Sequence, residues 1–247
     1  MYRVWLRNLK VWLKHARASL IGNLGQPFLF LLAMGYGLGR HVPEIEGLPY
    51  LQFIAPGLVT TAVMYSAAFE TTYGSYTRLT TQSTFEGILM TPVNPYGLAA
   101  GEIVWGATKG LLAGLIMLGA LPLFGVMPTP WAGLLVPILF IEGIFFAAVG
   151  LIMTALASSY EFFNYFTSLI ITPLFLFSGV FFSLQTLDPA IRTAIKVFPL
   201  AHTVILARML CYGRIEPQWI TAVSVTLISA AMAMWLGIVL LKRRLVQ

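Results

Sequence analysis

The chain has 247 residues, 58% of them hydrophobic and 10% charged, with mean hydropathy +0.84 and a formal net charge of +6. Soluble domains carry about 25% charged residues, so this composition excludes a soluble globular domain and describes an all-α integral membrane protein. The basic residues flank apolar runs, which favours anionic lipid over nucleic acid as a partner. The single cysteine, Cys211, excludes an intrachain disulfide and a cysteine-based metal cluster.

The first element is basic and amphipathic. Arg3, Arg7, Lys10, Lys14 and Arg17 follow helical spacing on one face, and Trp5, Leu6, Leu9, Trp12, Leu13 and Ala16 cover the other. This pattern predicts a helix over 1–18 lying in the membrane interface, tryptophans at headgroup depth. With five basic side chains and no compact apolar core before a cleavage site, it is not expected to be a signal peptide.

Charge-free runs follow at 18–39, 47–69, 110–141, 162–187 and 218–241. A crossing takes about 20 apolar residues. The third run is too long for one helix and is divided by the turn sequence GVMPTP at 125–130. Six spans are therefore predicted, at 20–39, 50–72, 97–124, 132–157, 162–184 and 218–241. The terminal clusters, including Lys242, Arg243 and Arg244, put both ends in the cytoplasm by the positive-inside rule. Arg40, Arg192, Lys196 and Arg214 then fall on the outer side, against that rule.

Between the second and third spans, 74–95 is polar, and Ser83 to Glu86 has capping-box spacing. A short helix is predicted to start near Thr84 and stop before Pro92. Ser158 to Glu161 repeats the spacing before the fifth span. The stretch 171–208 is apolar but interrupted by Pro173, Ser178-Gly179, Asp188-Pro189 and Pro199. Each proline removes a backbone donor, and irregular backbone at membrane depth survives only inside protein or around a water-filled cavity. This segment is read as re-entrant, with Asp188 capping a short outer helix through Ile195 and His202 capping a helix or bonding a nearby carbonyl.

Ionisable residues at membrane depth are costly and often functional. Glu70 lies at the inner end of the second span. Glu102 and Lys109 share one face of the third, about 10 Å apart along the axis, too far for direct pairing unless other polar groups bridge them. Glu142, in the fourth span, is a candidate partner for Lys109 or a cavity lining. Phe175, Phe181 and Phe182 are candidate linings of an amphiphile's path. No P-loop, metalloprotease, nucleophile-elbow or paired-acid motif occurs, and no internal repeat is evident.

The segments LQFIAPGLV (51–59), AFETTY (68–73), FEGILMTPV (85–93), GEIVWGATKG (101–110), ITPLFLFSGVFF (171–182) and FPLAHTVILAR (198–208), in this order and spacing, resemble the permease subunits of ABC-2 type exporters, most closely the NodJ-like nodulation exporter branch. The resemblance covers essentially the whole chain. It implies a dimer of six-span permeases, here most simply a homodimer, served by two ATP-binding cassette subunits that hold ATP and magnesium. It implies that Ser83–Thr91 is the coupling helix, with Arg78, Glu86, Ile88 and Leu89 as contacts for the ATPase. It also implies a re-entrant hairpin capping the outer end of the pathway, and an amphiphilic substrate exported across the bacterial inner membrane. The rival readings are an ion-coupled transporter or channel using Lys109 and Glu142, and a membrane-embedded enzyme acting on lipid.

Overall fold

The computed structural model describes residues 1–16, 25, 27–39, 41, 42 and 44–246. Helix α1 is Tyr2–Leu13. Helix α2 is Tyr50–Thr80 and contains a π-helical turn at Glu70–Gly74. The short α3 is Thr84–Leu89, followed by α4, Pro95–Phe124, and α5, Pro130–Leu156. Helix α6 is Phe162–Phe177, α7 is Pro189–Ile195, α8 is Pro199–Tyr212 and α9 is Trp219–Val246. Among the described residues the only β pairing is an isolated bridge between Ile45 and Leu48.

Four of these helices, α2, α4, α5 and α9, are long and apolar enough to cross a membrane, and the bent pair α7–α8 makes a fifth if counted as one span. Two of the six predicted spans therefore need comment. The one predicted at 20–39 falls partly outside the described residues; 27–38 is helical and ends in a π-helical segment, Ala33–Leu38. The one predicted at 162–184 stops early: α6 ends at Phe177 and is shorter than a crossing requires. Its stop is Gly179, at φ +80 and so close to Leu184 that an added Cβ would lie 2.8 Å from Leu184 Cγ.

Helix α2 forms the centre, with α4, α5 and α8 packed around it, while α9 lies at the periphery with few of its residues buried. Close packing needs small residues: a Cβ on Gly106 of α4 would meet Thr71 Cγ2 of α2 at 2.6 Å. Local signals set the helix starts. Asn94 accepts from Gly97 N at 2.7 Å ahead of Pro95, and Asp188 accepts from Ala190 N at 2.9 Å ahead of Pro189. The predicted box at Ser83 does not form. Helix α2 ends with Gln82 N bonded to Thr77 O at 2.9 Å, and the chain reverses through Ser83 at φ +46 with no side-chain cap bond. An N-cap serine needs extended backbone. No side-chain cap forms at the start of α6 either.

The broken segment is organised around α2. Helices α7 and α8 meet at 92°, and His202 at the bend lies 2.7 Å from Lys196 O through Nε2. Pro56 inside α2 cannot donate to Gln52 O. The hydroxyl of Tyr212 at the end of α8 donates to that oxygen at 2.6 Å. One helical position further, Arg208 donates from Nε to Phe53 O at 3.0 Å and from Nη2 to Gly179 O at 2.5 Å and Val180 O at 3.0 Å, with its guanidinium 3.6 Å over the Phe53 ring. Irregular backbone is thus satisfied by side chains, as a membrane interior demands.

Candidate functional site

The π turn of α2 is where the buried charges meet. Such turns free backbone carbonyls and recur at functional sites; here Thr154 of α5 donates to Thr71 O at 2.7 Å and Thr72 O at 3.2 Å. The turn begins with Glu70 and leads to Ser75 and Arg78, all aimed at α4. Glu70 Oε1 accepts from Trp105 Nε1 at 2.8 Å and Arg78 Nη2 at 2.9 Å, and Oε2 accepts from Lys109 Nζ at 2.6 Å. Glu102 Oε2 accepts from Ser75 Oγ at 2.7 Å, with Arg78 Nε at 3.0 Å and Nη2 at 2.8 Å. Glu102 Oε1 accepts from Asn8 Nδ2 of α1 at 2.6 Å.

The result is a neutral chain, Lys109–Glu70–Arg78–Glu102, tied to α1 through Asn8. Its side chains are nearly closed to solvent, 14% exposed at Arg78 and 0% at Glu102. All four carboxylate oxygens are satisfied, which is the condition under which buried charge is tolerable. Removing one member leaves an uncompensated ion, a loss of about 3–5 kcal/mol.

Helix α1 seats on α4 by Val4 and Asn8, with Trp5 Nε1 donating to Thr108 Oγ1 at 3.0 Å and Trp12 packed edge-on against Trp105 at 6.0 Å. Leu13, on the apolar face predicted to meet the membrane, is exposed. Arg7 donates to Asn8 Oδ1 at 2.9 Å. Burial and the Arg78 guanidinium lower its pKa below the usual arginine value, with Glu102 acting in the opposite sense.

The predicted site residues separate into distinct places. Glu70, Glu102 and Lys109 come together, and the bridge between the last two, required by their spacing, is Glu70 plus Arg78. Arg78, read as an exposed docking charge, points inward. Lys109 is held by Glu70 and not by Glu142. Glu142 is fully buried elsewhere, its Oε1 3.1 Å from Thr203 Oγ1 of α8 and its Oε2 without a hydrogen-bond partner among the described residues. Phe175 is 3% exposed, in edge contact with Phe30, Tyr65 and Phe181, so it is packed core and not the wall of an open path. Phe182 joins a separate cluster with Leu184, Ile195 and Ala201.

On α3, Phe85 is fully buried, Ile88 and Leu89 are half-buried against the main core, and Glu86 is exposed. Just past the end of this helix Met90, the C-cap residue, is 88% exposed. Asn8, Ser75 and Met90 carried no sequence signal. Arg244 did carry one, but only as a topology charge: its Nη1 caps the end of α5, donating to Thr154 O at 2.7 Å and Ala157 O at 2.5 Å.

Five of the six segments of the resemblance contribute residues to these two clusters. AFETTY supplies Glu70 and GEIVWGATKG supplies Glu102, Trp105 and Lys109, while Arg78 and Asn8 lie outside the quoted segments. LQFIAPGLV, ITPLFLFSGVFF and FPLAHTVILAR supply Pro56, Gly179, Val180 and Arg208 of the clasp, and Tyr212 lies just beyond the last. A family model described as ABC-2 type transporter matches residues 1–212. The chain belongs to the ABC-2 type transporter family. Similar proteins include Nodulation protein J of Sinorhizobium fredii, 35% identical over 98% of this chain and 92% of that protein. Nodulation protein J of Rhizobium meliloti is 38% identical over 85% of this chain and 80% of that one. The inner membrane transport permease YadH of Escherichia coli is 25% identical over 83% and 82%. This ABC-2 protein is accordingly a multi-pass permease of the inner membrane and a transport subunit.

Proposed function

We propose that this permease, as a pair of copies, exports an amphiphile such as a glycolipid, lipo-oligosaccharide, lipid-linked glycan or drug, driven by a cytoplasmic ATP-binding cassette subunit that binds ATP and magnesium. Both termini and α3 face the cytoplasm, α1 lies in the inner interface against lipid, and α7–α8 cap the outer end. A second copy is required because one subunit offers too little surface to enclose an amphiphile.

The observation that carries this reading is the linkage of α3 to the bundle. Phe85 anchors α3 in the core while Glu86 and Met90 stay exposed. The same stretch of chain runs back through Arg78 into the ion pairs that join α2 and α4, to which α1 is tied by the Asn8–Glu102 hydrogen bond. An ATPase seated on Met90 and Glu86 moves α3, and the buried ion pairs make the inner ends of α2 and α4 move with it, since neither can leave without stranding a charge, while α1 follows through the Asn8–Glu102 hydrogen bond. Phe181 and Phe182 bear on the pathway by holding the broken segment in place. The ion-coupled rival needs Lys109 and Glu142 in one relay, and they sit in separate hydrogen-bond sets.

The test is reconstitution with the copurified ATPase, scoring ATP-dependent movement of a fluorescent amphiphile. Movement with ATP that Glu86→Lys or Met90→Asp abolishes supports the reading. Movement without nucleotide contradicts it.

A further inference from the structure

Three of the outer cations that break the positive-inside rule, Arg192, Lys196 and Arg214, converge, while Arg40 lies outside the described residues. Arg192 of α7, Lys196 at the bend, Arg208 of α8 and Arg214 beyond it line one cavity of about 360 Å³, together with Glu46 and Glu216. Four cations thus face two carboxylates, leaving an excess of two positive charges; Glu46 accepts from the Ser183 hydroxyl and Glu216 from Gln218 Nε2 at 2.5 Å. Among the described residues the ion pairs are Arg78–Glu70, Arg78–Glu102 and Lys109–Glu70, so none of the four cations is neutralised by a pair. Arg208 spends its bonds on backbone carbonyls, which bear no net charge, and therefore adds a fixed positive charge beside the cavity.

We propose that this cavity binds an anionic headgroup, a phosphate, pyrophosphate or sulfate ester. Unpaired cations converging on a concave site raise the local anion concentration. Guanidinium forks suit phosphate and sulfate oxygens, with bonds stronger than neutral ones. The volume admits a headgroup with part of its chain, and Leu184 and Ile205 give that chain an apolar wall. The headgroup belongs either to an anionic membrane lipid or to the exported amphiphile at its exit; the second assignment rests on the export reading, whereas the binding itself does not.

The test uses the purified full chain in phosphatidylcholine nanodiscs, without ATPase, titrated with inorganic pyrophosphate by calorimetry. Binding is expected that weakens as salt rises, is about tenfold or more weaker in R192Q/K196Q/R214Q, and persists in R192K/R214K. All three residues are partly or fully exposed, and R192Q alone serves should the triple variant not fold. Repeating the titration with phosphatidylglycerol in the nanodisc separates the sources. Competition assigns the cavity to the membrane lipid; undiminished binding assigns it to an anion brought by the substrate. Equal affinity in the wild type and the glutamine variants, or no binding by the wild type, overturns the proposal. Because no transport is measured, a failed export assay leaves this result standing, and a failed titration leaves the export reading standing.

Discussion

Arg78 Nη2 lies 2.8 Å from Glu102 Oε2 at a point where Glu102 is fully buried. The same nitrogen is 2.9 Å from Glu70, so a single guanidinium joins carboxylates from α2 and α4. Arg78→Gln leaves two carboxylates against one lysine. The expected loss is about 3–5 kcal/mol, read as a large fall in the thermal midpoint of the detergent-solubilised protein. Arg78→Lys recovers only part of it, because an ammonium cannot reproduce the fork. A cycle combining Arg78→Gln with Glu102→Gln should show coupling of about 0.5–3 kcal/mol. Additive losses would remove the bridge.

Glu142 should behave in the opposite way. It has one hydroxyl contact and one oxygen without a partner in a fully buried site, so replacing it with its neutral isostere removes a desolvation penalty and breaks no ion pair. Glu142→Gln is expected to leave the thermal midpoint unchanged or raised, while Glu102→Gln lowers it. A fall at Glu142 equal to that at Glu102 would mean that Glu142 is paired after all.

The spans were readable because a bilayer demands long charge-free runs, and 47–69, 110–141 and 218–241 each hold a helix or its turn where expected. Asp188-Pro189 was readable because cap and proline act within one turn. What the sequence could not supply was the order of helices around α2. Of the candidate partners for Lys109 the one it takes is Glu70 and not Glu142, because helical periodicity names a face and not the neighbour across from it. Arg78 looked solvent-exposed in a Ser/Thr-rich stretch; α2 instead continues through its π turn to Thr80 and carries Arg78 inward. The Ser83 box failed through a left-handed backbone that serine gives no sign of adopting. Met90 escaped notice because a lone methionine beside a helix stop has no pattern.

Tyr212 and Pro56 form a pair that can be tested by rescue. The Tyr212 hydroxyl satisfies the Gln52 oxygen that Pro56 leaves without a donor. Tyr212→Phe strands that part-buried carbonyl, at a cost of about 1 kcal/mol or more. Adding Pro56→Ala restores an N–H four residues on, so the double variant should regain much of the lost stability in chemical denaturation or thermal scans. If Pro56→Ala deepens the loss, the hydroxyl has another role.

Exposure makes the surface of α3 separable from folding. Met90→Asp and Glu86→Lys alter solvent-facing side chains and should shift stability by no more than about 0.5 kcal/mol. They are nevertheless expected to lower ATPase copurification and ATP-dependent export severalfold. Phe85→Ala, by contrast, opens a fully buried site and should cost about 3–5 kcal/mol. Retained ATPase binding in both surface variants would move the docking site elsewhere.

The most direct measurement places a photo-crosslinking residue at position 90 and, as control, at position 127. Met127 is 70% exposed, in the turn between α4 and α5 at the far end of α4 from α3. Each variant is expressed in the native host, illuminated, purified by tag, and its crosslinked partners identified. The account predicts that position 90 captures a P-loop ATPase and position 127 does not. Capture at 127, or a purified permease that carries no ATPase at either position, would contradict it.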